Sequence, residues 1–242
     1  MGLILCLAIA GCEKGDSEEP PSVFGANGDI NSVLNLFRNT LGSLNSTTGQ
    51  TTGRREINWD GVPDAMNGIK LSADFFNPTD AAAPESLKRG VMYGGDADAM
   101  VSSTGFSEVN VDASASFASF SGNKNFAVVN ATLWPVTFQV AGQDRAATVN
   151  AFGAVFSDVD NPNSTFIEFF DGTNSLGRFY VPPHDNTTSF SFLGVYFPNS
   201  RITDINIGHE GRLSDGAKDI SQGGTKDLVV LDDFIYSEPL AR

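Results

Sequence analysis

Residues 158–163, DVDNPN, put four oxygen-bearing side chains, Asp158, Asp160, Asn161 and Asn163, into six positions. Calcium takes six to eight oxygen ligands from carboxylates, amides and backbone carbonyls, so this density points to cation binding. The Asp-x-Asp start matches a helix-loop-helix calcium loop, but Asn163 stands where that loop needs Gly and Phe169 where it needs Glu. That motif is excluded, which leaves a site in a loop between strands. A second pair, Asp232 and Asp233, interrupts the apolar run of residues 229–236, VVLDDFIY. Side chains alternate along a strand, so one of the two carboxylates faces a packed side and needs a cation, an arginine such as Arg54 or Arg55, or backbone N–H groups. The expected metal ligands are Asp158, Asp160, Asn163, Asp232 and Asp233, with calcium as the cofactor their oxygen donors suit. By analogy with jelly-roll carbohydrate-binding modules, Glu56 or Asp60 would join Asp232 or Asp233. Asp-capped turns and arginine pairs are the competing explanation.

Sugar binding would call on exposed aromatic rings with polar neighbours. Trp134, which precedes Pro135 at a strand start, is the candidate ligand-binding residue, whereas Trp59 lies in a dense block and reads as core. Hydrolytic chemistry finds less support. His184 and His209 are the only histidines, which excludes a three-histidine zinc site, and no G-x-S-x-G, phosphate-loop or H-E-x-x-H motif occurs. Glu168 with Asp171, or Glu56 with Asp60, could form a glycosidase pair, but each is as well explained by strand ends and turns. No catalytic residue is therefore assigned.

The elements that must hold these residues are mostly strands. Residues 148–170 read as a β-hairpin with the acidic loop at its tip, and residues 176–181, 190–197, 202–207 and 228–236 follow as short aromatic and β-branched runs bounded by Gly, Pro, Asn and Asp. Residues 190–197, FSFLGVYF, are apolar on both faces, as in a strand covered on both sides. One amphipathic helix is expected over 29–45, where Ile30, Val33, Leu34, Phe37 and Leu41 share a face. Asp29 is its expected N-cap and Gly42 its stop. The fold class is all-β, a jelly-roll-like antiparallel β-sandwich over 53–239 with one short N-terminal helix packed on it.

Residues 1–11 form a run without charge that ends in Ile9-Ala10-Gly11 before Cys12, the shape of a bacterial lipoprotein signal with Cys12 as the lipidated residue. Such a run is too short to span a bilayer, which needs about 20 apolar residues. Residues 12–28, rich in Glu, Ser, Pro and Gly, read as a flexible tether. Cys6 and Cys12 are the only cysteines, so a processed chain would have no internal disulfide despite an oxidising compartment. The net charge of -14 excludes nucleic acid as a partner, because phosphate binding needs clustered cations. An exported lipoprotein facing the periplasm or cell exterior is expected, a non-enzymatic adhesion or ligand-binding module. Its partners would be the membrane, through the lipid, and a polysaccharide or cell-surface protein. The alternative is an accessory protein of carbohydrate binding or degradation.

Several long blocks carry a family resemblance: GRREINWDGVPDA at 53–65, AATVNAFGAVFSDVD at 146–160, SFSFLGVYF at 189–197 and VVLDDFIYSEP at 229–239. With FRNTLG at 37–42, DFFN at 74–77 and RGVMY at 89–93 they span most of residues 30–239. The chain resembles a family of bacterial exported proteins with no known reaction. That resemblance implies a secreted or surface-anchored β-sandwich.

Overall fold

The computed structural model describes residues 19–94, 97–185 and 187–242. Cys12, the signal run 1–11 and tether residues 12–18 lie outside them. The chain forms β1 (Ser22–Asn27), α1 (Asn31–Leu41), β2 (Arg54–Ile57), β3 (Val91–Tyr93), β4 (Ala99–Ser102), β5 (Asn125–Val128), β6 (Leu133–Phe138) and β7 (Ala147–Thr148). It continues through β8 (Ala151–Ser157), β9 (Phe166–Asp171), β10 (Asn174–Tyr180), β11 (Phe190–Tyr196), β12 (Asp204–Gly208), β13 (Val230–Ser237) and β14 (Leu240–Ala241). A seven-stranded sheet runs β1-β11-β8-β13-β5-β4, with β2 also on β13, and a five-stranded sheet runs β10-β9-β12-β6-β3. All pairings between these strands are antiparallel. The expected all-β sandwich is present, with a single α-helix among the described residues.

The two sheets meet through aromatic rings. Phe126, Phe152, Phe156, Phe234 and Tyr236 of the larger sheet pack with Trp134, Phe138, Ile167, Phe169 and Ile205 of the smaller one. Phe138 lies 5.9 Å from Tyr236 and 6.3 Å from Phe152, ring centre to ring centre. The other face of the larger sheet is closed by α1, whose buried residues are Leu34, Phe37 and Leu41. Every residue of β8 is buried because the sheet is covered on both sides. Gly153 of β8 stands opposite Gly194 of β11, and a Cβ on either would come within 3.0 Å of the Phe37 ring. The two glycines make the gap into which the helix lowers its phenylalanine.

Two expectations change. Residues 22–27, placed in the tether, form the edge strand β1, which pairs with β11 over Ser22↔Tyr196 to Asn27↔Ser191. Phe24 packs edge-on to Phe37 at 5.2 Å, and this apolar anchor explains why so polar a stretch joins the sheet. Residues 148–170 are not a hairpin, since β8 belongs to the larger sheet and β9 to the smaller. The chain between them is an arch from one sheet to the other. Val159 is buried at its centre, and Asp158 and Asn163 adopt positive φ of 70°. Asp and Asn enter that left-handed region more readily than other side chains, so the residues chosen as ligands also serve to turn the arch.

Candidate metal centre

The arch brings Asp158 and Asp160 to one end of the sandwich. Backbone bonds hold it there, from Asp158 N–H to Ser189 O at 2.8 Å and from His184 N–H to Val159 O at 2.7 Å. The second bond draws residues 182–185 against the arch, and with them the His184 ring. Its Nδ1 donates to the Asp185 carbonyl at 2.6 Å, which directs Nε2 toward Asp160 Oδ1 at 3.0 Å and Asp158 Oδ1 at 3.8 Å.

The long polar loop between β12 and β13 supplies two further carboxylates. Asp219 caps the 3-10 turn Ile220–Gln222, accepting from Ser221 N–H at 2.6 Å and from Leu228 N–H at 2.8 Å. Asp227 Oδ2 accepts from Asn161 N–H at 2.9 Å, Asp160 N–H at 3.1 Å and the Ser164 hydroxyl at 2.6 Å. These bonds tie the loop to the arch across more than sixty residues of sequence.

The result is two overlapping sets of donors, Asp158–Asp160–His184 and Asp160–Asp219–Asp227. Within each set the ligand atoms lie within 4.8 Å of one another. Asp219 and Asp227 are fully buried, and Asp158 is 5% exposed. Oδ2 of Asp158, Oδ2 of Asp160 and Oδ1 of Asp227 are buried with no hydrogen-bond partner among the described residues. A carboxylate oxygen removed from water without a partner is costly, so these groups favour either a bound proton or a cation.

The titration behaviour has the same cause. Burial, then the Asp219 and Asp160 carboxylates, push Asp158 up to about 7. Burial and Asp219 also raise Asp160, and burial raises Asp227 against the Ser164 hydroxyl and the two arch amides. Burial opposes protonation of His184, but the Asp185 carbonyl with the Asp160 and Asp158 carboxylates outweighs it and raises the ring's pKa. Among the described residues, none of the four aspartates forms an ion pair with lysine or arginine.

Asn163 is an exposed turn residue of the same arch; the other two expected ligands lie elsewhere. Asp232 and Asp233 sit where the register of β13 against β8 shifts, a bulge that breaks strict alternation and lets both acids reach the Ser121 hydroxyl, at 3.2 and 2.5 Å. Asp232 also accepts from Phe120 N–H at 2.6 Å, and Asp233 from Arg38 at 3.2 Å. Burial first, and Asp233 second, raise the pKa of Asp232. Protein donors thus satisfy this pair, and the arginine is Arg38 on α1, which also binds Glu56 at 2.8 Å. Arg55 instead holds Glu238 at 2.8 Å.

Trp134 is 1% exposed, which removes it as a stacking platform for sugar. It has the same parity in β6 as Val136 and Phe138, and that parity faces the core.

The chain was compared with family models, curated proteins and solved structures. It matches none of them. The site is therefore read from its own geometry. What sequence reasoning missed there is Asp219, Asp227 and His184. The first two stand singly in the long polar loop of residues 208–227, where no dense run of acids marks them. The available signal for His184 was its place in Pro182-Pro183-His184-Asp185, a short stiff segment leading back to a strand.

Proposed function

We propose that this protein is a lipid-anchored, extracytoplasmic β-sandwich that acts as a non-enzymatic adhesion or ligand-binding module, with a divalent cation holding its loop end together. One observation carries the cation reading: Asp158, Asp160 and Asp227, each with one buried carboxylate oxygen lacking a partner, belong to donor groups close enough to share an ion. Calcium suits the oxygen donors, and a cation there would add a further link between the arch and the two loops. The signal-like run ending at Cys12 supports export and anchoring.

Thermal melts in millimolar calcium, in millimolar manganese and in excess chelator test the cation. At 100 times its Kd a single ion adds about 2.7 kcal/mol to the folded state. For a domain of this size that raises the melting temperature by about 5–10 °C. Asp158→Asn removes one unpaired charge, so it should stabilise the cation-free protein by about 1–3 kcal/mol and diminish the cation increment. Superimposed melts in all three conditions would sink the cation reading.

The carbohydrate reading keeps one specific support. Tyr180 is 44% exposed on β10, beside Arg178, which lies 4.0 Å above the Phe166 ring and binds Glu168 at 2.8 Å. An exposed ring flanked by charged hydrogen-bonding groups is the chemistry of a sugar platform. Retardation in polysaccharide gels that disappears on Tyr180→Ala would favour this ligand class over a protein partner.

A further inference from the structure

We infer that the centre is built for two divalent cations bridged by the Asp160 carboxylate, with an imidazole ligand on one side only. This rests on the cation reading above and specifies its stoichiometry and selectivity.

Asp160 is the one residue common to both donor sets, with Asp158 and His184 in one and Asp219 and Asp227 in the other. The unpartnered oxygens are distributed in the same way: Asp158 Oδ2 in the first set, Asp227 Oδ1 in the second, and Asp160 Oδ2 in the residue they share. Charge supports the same count. With all four carboxylates ionised and His184 neutral, as metal ligation requires, one divalent cation leaves a net charge of -2 and two leave none. No lysine or arginine among the described residues is paired with them to take up the difference.

His184 is held as a metal-ligating histidine is held. Its Nδ1–H is spent on a backbone carbonyl, which fixes the ring and presents Nε2 to the carboxylates. The halves therefore differ in chemistry. Imidazole beside two carboxylates suits manganese or zinc, while the all-oxygen half suits calcium, magnesium or manganese. Manganese fits both, which makes it the probe.

Chelator-stripped protein titrated with Mn2+ by calorimetry, with metal content measured after desalting, should bind two ions per chain. Pulsed electron paramagnetic resonance should show a 14N coupling from one imidazole. His184→Gln should abolish that coupling and weaken one of the two sites by about tenfold or more, as loss of a metal-site group does. Asp227→Asn should weaken the other site and keep the coupling. Saturation at one ion per chain, or two ions without a 14N coupling, overturns the bridged centre while the cation reading stands. Absence of binding by Mn2+, Zn2+ and Ca2+ at millimolar concentration overturns both. If a variant fails to fold, as judged by circular dichroism, the stoichiometry and 14N coupling of the unaltered protein still decide.

Discussion

His209 shows what burial does here to an imidazole. Its Nδ1 donates to the Gly211 carbonyl at 2.9 Å, and burial pushes its pKa down to about 4. Between about 6.5, the value in an unfolded chain, and about 4, the unfolded state binds a proton that the folded state refuses. Stability from this group is therefore fully present above that window and is lost as the pH falls through it, by up to about 3 kcal/mol. Urea denaturation at pH 7 and pH 4.5 should show a smaller acid loss for His209→Gln than for the unaltered protein, because glutamine keeps a donor for Gly211 and takes up no proton. Equal losses would mean that His209 is protonated in the fold. His184, the other histidine, has the opposite shift because the Asp185 carbonyl together with the Asp160 and Asp158 carboxylates outweighs its burial. Two residues of one type, both in polar loops by sequence, were separated only by what the fold brought near them.

At the scale of elements, α1 is held by its apolar stripe more than by its caps. The N-cap falls on Ile30, one residue past the expected Asp29, whose Oδ1 still accepts from Asn31 N–H at 3.2 Å, while Phe37 is fully buried over Gly153 and Gly194 and contacts Phe24 and Phe192. Phe37→Ala should cost about 3–5 kcal/mol, measured as a lower urea midpoint, with hydrogen exchange accelerating first in α1 and β1. The helix, the strand grammar and the doubly covered strand β11 were legible because periodicity is local. The arch was not, since two apolar runs around an acidic loop look alike whether the chain returns to the same sheet or crosses to the other. The candidate site was legible only in part. Asp158 and Asp160 stand out as a dense cluster, but their companions lie 24 residues away for His184 and 67 for Asp227, and nothing in LDDF announces the bulge that places Asp232 and Asp233. Trp134 could have been placed correctly by extending the alternation of Val136 and Phe138 back by two positions.

For the whole molecule, the anchoring proposal makes one direct prediction. Cys12→Ser should move the protein from the membrane fraction to the soluble fraction and remove a diacylglyceryl mass from its N-terminus, as read by detergent partition and intact mass spectrometry. Continued membrane association of that variant would point to another means of attachment. Among the described residues, no helix is long and apolar enough to cross a membrane. The pairing of β1 then gives such a lipoprotein an orientation. The tether enters at Ser22, in the row shared with Tyr196 and Ala151, and β1 ends at Asn27 beside Gly28, whose backbone abuts the Asp185 carboxyl. Six strand residues separate those ends by about 20 Å. From Glu13 to Pro21 the chain can reach about 30 Å when fully extended. In such a lipoprotein the acidic arch would lie at the end of β1 away from the point where the lipid tether enters, so that tether and ion site would occupy opposite ends of one strand.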